Sequence, residues 1–250
     1  MEMVEPTAPA PEAARAAPEW RDLFLYLLVG GGGFVVTSLL AGRLVEHGTL
    51  AVSVIAYAIN IIFFAGSVLV VGAARGKLSL SEIGFIPPRI NVAWFAGAIL
   101  LSLALLPVRG IIGVVVQYLG GGNLAGMNER MSLIAPDGFT WLGFLVTLVG
   151  AGILVPISEE LFFRGAIFTW FRARYNFPVA MLASSLLFAF GHIDTIGVVA
   201  SSLVLGLVNA FVFEKSKTLW TPILMHITTN SFAVLVIYGT LAFAPQLLQK

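Results

Sequence analysis

Residues 141–164 read WLGFLVTLVGAGILVPISEELFFR, and this stretch decides the fold. No Asp, Glu, Lys or Arg interrupts residues 141–158. A bilayer core of about 30 Å takes roughly 20 apolar residues in a helix, so the run reads as a membrane span. Glu159, Glu160 and Arg164 then follow in a context that stays apolar. Ionisable groups inside lipid are costly and mark functional positions by default. The span starts near Phe139 and continues through both carboxylates toward Arg174.

The rest of the chain has the same character. Of its 250 residues, 58% are hydrophobic and 11% charged, against about 25% charged in a soluble domain. A soluble fold of this size has too little interior for that much apolar surface, so the surplus faces lipid. Net charge is +1, which points to no nucleic acid and no strongly acidic partner. The absence of cysteine excludes disulfides, thiolate chemistry and cysteine-ligated metals.

Further apolar runs cover residues 23–42, 49–74, 92–119, 177–192, 196–213 and 219–243. The first contains Gly30–Gly33, which makes the helix thin and easy to pack against, or locally flexible. The third passes Pro107 and Arg109 and is read as one kinked helix; a break there would divide it in two. The expected fold is an all-α polytopic membrane bundle of about seven transmembrane helices, or eight if the third divides. Residues 75–91 form a polar stretch whose Leu78, Leu80, Ile83 and Phe85 suit a surface-lying amphipathic piece, ended by Pro87-Pro88. Residues 123–138 form a loop. Residues 1–20 carry Glu2, Glu5 and Glu12 where a signal peptide would be basic, and read as a disordered cytoplasmic tail. Residues 21–250 then make a single membrane-embedded domain.

Loop charge orients these spans. Arg15, Arg21, Arg75, Lys77, Arg89, Arg172, Arg174, Lys215 and Lys217 fall on one side; Arg43, Arg130 and Lys250 fall on the other. Nine against three, in strict alternation, places the N-terminus in the cytoplasm and the C-terminus outside. An eighth span would break the alternation. Trp20, Trp94, Trp141 and Trp220 sit near span ends, as interfacial anchors do.

Three polar clusters occupy separate spans. In the first, Glu160 and Arg164 are four apart and face each other as a buried charge-cancelling pair. Glu159 lies about 100° around the helix and has no obvious partner. A desolvated carboxylate is a stronger base, which suits general acid–base work. The competing reading, a buried ionic clasp, is favoured for Glu160 and Arg164 but not for Glu159.

The second cluster is Phe188 and His192, four apart. Glu159 lies 17 residues before the Asn176 hairpin tip and His192 lies 16 after it. At about 1.5 Å per residue the two are level, so a water could sit between carboxylate and imidazole. The third cluster is His226 and Asn230, again four apart. Both can donate to an oxyanion, the group that most needs stabilising in amide hydrolysis. Interhelical hydrogen bonding is an equal competitor for this pair. Asn209 reads as an interhelical hydrogen-bonder, and Ser184 and Ser185 as packing residues. Arg109 pairs or snorkels, His47 has no motif around it, and Asp194 stands close enough to bias the protonation of His192.

The order Glu159-Glu160…Arg164, Phe188…His192, His226…Asn230 resembles the CPBP family of CAAX prenyl endopeptidases and bacteriocin-processing enzymes, also called the Abi family. The stretch from Gly206 to His226 is similar to the lead into the family's last motif. Residues 78–85 resemble a segment often found upstream. The resemblance covers about residues 140–232, the motif-bearing core. It implies an intramembrane endopeptidase cutting a peptide bond near the C-terminus of a membrane-anchored protein or peptide. It implies that Glu159 and His192 activate water, that His226 and Asn230 hold the oxyanion, and that Glu160, Arg164 and Phe188 support the site. The family is described both as metalloproteases and as glutamate enzymes without metal. A divalent metal such as zinc would draw on Glu159, His192 and His226, but no His-Glu-x-x-His motif makes metal the default. The alternative from another class is a non-catalytic scaffold or bacteriocin-immunity protein of the same fold.

Overall fold

The computed structural model describes residues 18–44, 49–89, 91–121, 134–193 and 195–244. His47, Arg130, Asp194, Lys250 and most of the expected tail and of the 123–138 loop lie outside them. The described residues hold seven apolar helices: α1 (Trp20–Arg43), α2 (Leu50–Ala73), α3 (Val92–Leu119), α4 (Trp141–Arg172), α5 (Phe177–Phe190), α6 (Ile196–Ser216) and α7 (Trp220–Phe243). Six are long and apolar enough to cross a membrane, and α5 is shorter. The chain is an all-helical polytopic bundle. Pro107 lies inside the continuous α3, so the third span does not divide.

Side-chain caps start several helices. Asn91, Thr140, Asn176 and Thr195 each accept backbone N–H bonds at the heads of α3, α4, α5 and α6. These satisfy donors that lipid cannot solvate. The core is built from α4 outward: Phe162, Phe163, Ile167 and Phe168 pack with Phe64 of α2, Phe188 of α5, Leu205 of α6 and Ile223 of α7. The outer helix is α3, with Leu100, Ile111 and Leu119 exposed to the lipid side.

Close approaches set the spacing. A Cβ on Gly30 would overlap the Phe162 ring, so α1 lies against α4 where the glycine run predicts it. A Cβ on Gly150 would overlap Tyr57, which brings α2 equally close to α4.

The helix α4 is wound more widely, in the π manner, over Gly150–Leu154 and Leu161–Phe168. Such insertions gather at functional sites. The first has a visible cause. Pro156 carries no N–H, so carbonyls four and five residues earlier lose a donor. Those carbonyls are taken by α7: Ser231 Oγ donates to Gly152 O and Asn230 Nδ2 to Ala151 O, both at 3.2 Å. The proline thus creates acceptors that tie the fourth span to the last.

Residues 78–88 are the stretch read as a short amphipathic, surface-lying piece. They form a series of turns tucked under α7, with Leu78 and Ile83 buried. Ile83 O accepts from Leu219 N (2.9 Å), Gly84 O from Thr218 Oγ1 (3.0 Å) and Phe85 O from Trp220 Nε1 (3.0 Å). Gly84 has φ +67° and stands so close to Thr218 that a side chain would collide. Trp220 therefore stacks on Phe85 rather than acting only as a lipid anchor.

Candidate active site

The site assembles on α4. Glu160 and Arg164 stand one turn apart, fully buried, with Arg164 Nε 3.2 Å from Glu160 Oε2. This is the expected pair, as a single ion contact rather than a bidentate one. Arg164 also donates to Gly206 O on α6 (2.9 Å) and lies 4.6 Å over the Phe188 ring.

Glu160 does more than the sequence reading assigned to it. Its Oε1 accepts from Asn209 Nδ2 of α6 at 2.9 Å and from His226 Nδ1 of α7 at 2.8 Å. One carboxylate therefore joins three helices. Asn209 is the interhelical hydrogen-bonder expected, with Glu160 as its partner. With Nδ1 committed, the other ring nitrogen of His226 points toward Glu159: Nε2 is 3.7 Å from Glu159 Oε2, an ion-pair distance just beyond a hydrogen bond.

Glu159 is buried and, contrary to the sequence reading, has a partner. Asn60 of α2 donates Nδ2–H to Glu159 Oε1 at 2.9 Å, and Ser158 Oγ lies 2.7 Å from Asn60 Oδ1. The other oxygen of this carboxylate, Glu159 Oε2, makes no hydrogen bond among the described residues. Asn60 and Ser158 escaped the sequence reading. The available signal was a polar residue in the middle of a span, the same signal that singled out Asn209.

His192 lies past the end of α5, in the turn that follows Phe190, because the chain leaves the helix at Gly191. It stays beside Phe188 all the same. Its Nδ1 donates to Phe188 O at 2.9 Å, and the two rings are 4.7 Å apart. In the neutral ring that bond leaves Nε2 as the basic nitrogen. Phe188 also meets His226 edge-on at 5.5 Å. The three sequence clusters thus converge on one aromatic side chain. Asn230, one turn beyond His226, spends one amide hydrogen on Ala151 O and has a second to give. Ser184 and Ser185 are buried packing residues, as read. Arg109 donates to Ser201 O at 3.1 Å, tying α3 to α6.

The metal alternative fits poorly. Among the described residues no group of three or more His, Asp or Glu could hold one ion.

Part of the chain is similar to known proteins. Residues 141–232 match the family of type II CAAX prenyl endopeptidase Rce1-like proteins. A putative membrane peptidase, YdiL, of Bacillus subtilis is 26% identical over 147 residues, covering 59% of this chain and 57% of the relative. The membrane-embedded CAAX protease MroQ of Staphylococcus aureus is 26% identical over 156 residues, covering 60% and 59%. An uncharacterized 24.3 kDa protein of Escherichia coli is 30% identical over 95 residues, covering 36% and 44%. The chain thus spans less than two thirds of the length of each of these relatives. No solved structure matches at a significant level. All three side-chain clusters fall inside residues 141–232, the segment that is similar to the type II CAAX prenyl endopeptidase Rce1-like family.

Proposed function

We propose that this chain is an intramembrane endopeptidase that hydrolyses a peptide bond near the C-terminus of a membrane-associated protein or peptide. The observation that carries the reading is the Glu159 carboxylate. It is buried, held at one oxygen, and turns its other oxygen toward His226 without a hydrogen bond. A buried polar atom left in that state calls for an explanation, and contact with water and substrate during reaction supplies one.

In this reading Glu159 Oε2 takes a proton from the attacking water, with His192 Nε2 as the second base. The water oxygen adds to the scissile carbonyl carbon, and the carbonyl oxygen becomes an oxyanion. His226 and Asn230 donate to it. His226 can donate from Nε2 only as the imidazolium, for which the Glu160 carboxylate is the counter-ion. The C–N bond then breaks as Glu159 returns its proton to the leaving amine. Removing a positioned general base costs roughly 10²–10⁴-fold in rate.

The names of the family and of the staphylococcal relative support a CAAX-type C-terminus as the substrate class. Loop charge supports a cytoplasmic N-terminus and an outer C-terminus. The test is cleavage by membranes containing Glu159→Ala, which should be lost while the protein stays inserted.

A further inference from the structure

The helix α2 brings Asn60 to Glu159, and Asn60 lies outside the family-matched segment at residues 141–232. Asn60 is the eleventh residue of a 24-residue span and is buried. An amide at that depth is expensive and marks function or interhelical bonding. General adhesion between helices needs only one partner of either polarity. Asn60 instead uses both ends of its amide on two consecutive residues of α4. Its oxygen faces Ser158 Oγ at 2.7 Å, and its nitrogen donates to Glu159 Oε1 at 2.9 Å.

Chemistry fixes the orientation of the amide. An ionised carboxylate only accepts, so the nitrogen must face Glu159, and a flipped amide would set two oxygens against each other. Ser158 Oγ shares its single hydrogen between Asn60 Oδ1 and Val155 O, and keeps the amide oxygen turned away from Glu159. The Gly150–Tyr57 contact holds α2 close enough to α4 for this short reach.

We infer that Asn60 is a positioning residue for the peptidase step, pinning Glu159 Oε1 so that Oε2 alone is presented to His226 and the attacking water. This rests on the peptidase reading above. Glu159 has rotatable bonds and lies on a widened stretch of helix. Without Asn60 its carboxylate would sample several directions. The loss should fall on the chemical step and spare substrate binding.

The test compares purified full-length variants in proteoliposomes, with a fluorescence-quenched prenylated peptide ending in a CAAX sequence as the probe. Asn60→Leu keeps the size of the side chain and suits the membrane interior, but removes both hydrogen bonds. Misplacing a reacting group by about 1 Å costs on the order of 10²-fold, so kcat should fall by about that factor with KM within roughly twofold. Asn60→Gln, which retains the amide, should recover part of the loss. Ser158→Ala should lower kcat several-fold alone and add nothing to Asn60→Leu, because the two residues act through one bond chain. Thermal midpoints are measured in parallel. If Asn60→Leu does not assemble, Ser158→Ala carries the test.

Asn60→Leu with kcat at the wild-type level would overturn the inference, as would a loss carried wholly by KM. Where Asn60→Leu does not assemble, wild-type kcat in Ser158→Ala would do the same. A probe cut by wild type and spared by Glu159→Ala upholds the peptidase reading whichever way Asn60 falls. A wild-type protein without Glu159-dependent cleavage would sink that reading and this inference together.

Discussion

His226 Nδ1 lies 2.8 Å from Glu160 Oε1, and both side chains are buried, so the fourth and seventh spans are joined through the same carboxylate that neutralises Arg164. The two adjacent glutamates therefore differ in kind. Glu160 is a structural hub with three partners on three helices. Glu159 is held at one point and open at the other. Removing Glu160 should cost mainly stability. Glu160→Ala leaves the fully buried Arg164 guanidinium without its counter-charge, and breaking a buried pair costs roughly 3–5 kcal/mol. Thermal unfolding in detergent should show a large drop for Glu160→Ala. The drop for Glu159→Ala should be distinctly smaller, of the order of one lost hydrogen bond, about 1–3 kcal/mol.

The two α7 donors should behave differently from their neighbour. His226→Ala and Asn230→Ala each remove a proposed oxyanion donor, and the expected loss in kcat is about 10²–10³-fold for each. Asn230→Ala also removes the bond to the Ala151 carbonyl. Ser231→Ala is the matched control, since it removes the parallel bond to Gly152 O without touching the proposed site. Both variants at 230 and 231 should lower the thermal midpoint by similar amounts, while only the former lowers kcat.

The topology can be checked without background labelling, because the chain has no cysteine. Lys217 is exposed at the end of α6, and Asp137 is exposed ahead of α4. A membrane-impermeant thiol reagent on intact cells should label Asp137→Cys and should label Lys217→Cys only after permeabilisation. The reverse pattern would invert the orientation.

A further expectation concerns the end of the bundle where Glu19 meets Lys77. Lys77 Nζ binds Glu19 Oε1 at 2.9 Å, and this hydrogen bond, with the charge of Lys77, holds the Glu19 carboxyl below its ordinary value of 4.5. A lowered carboxyl stabilises the fold above the unfolded value and loses that contribution as pH falls through the folded one. Carbon-13 NMR titration of Glu19 in detergent should therefore show a midpoint below 4.5 that moves up in Lys77→Ala. Glu19 is exposed, so the shift should be largest at low salt.

Much of the fold is legible in one dimension. Apolar runs and charged loops alternate along the chain, and each helix lies within a few residues of its run because lipid forces a helix wherever polar partners are lacking. The Glu160–Arg164 contact was readable too, since i and i+4 meet on any helix. Contacts between helices were not. Asn60 and Glu159 are 99 positions apart, and His226 and Glu160 are 66 apart. Nothing in periodicity says which of several mid-span polar residues will meet. Glu159 therefore read as partnerless, and Glu160 as the partner of Arg164 alone. His192 was placed on a helix that stops short of it at Gly191, because the apolar run carried on past the point where the backbone turns.

The most direct test of the central claim is terminal proteomics of membranes from cells expressing wild type, Glu159→Ala or Glu159→Gln at equal levels. The account expects a defined set of new C-termini on membrane-associated proteins or peptides in the wild type, absent from both variants. Identical sets of termini in all three, with the protein correctly inserted, would contradict it.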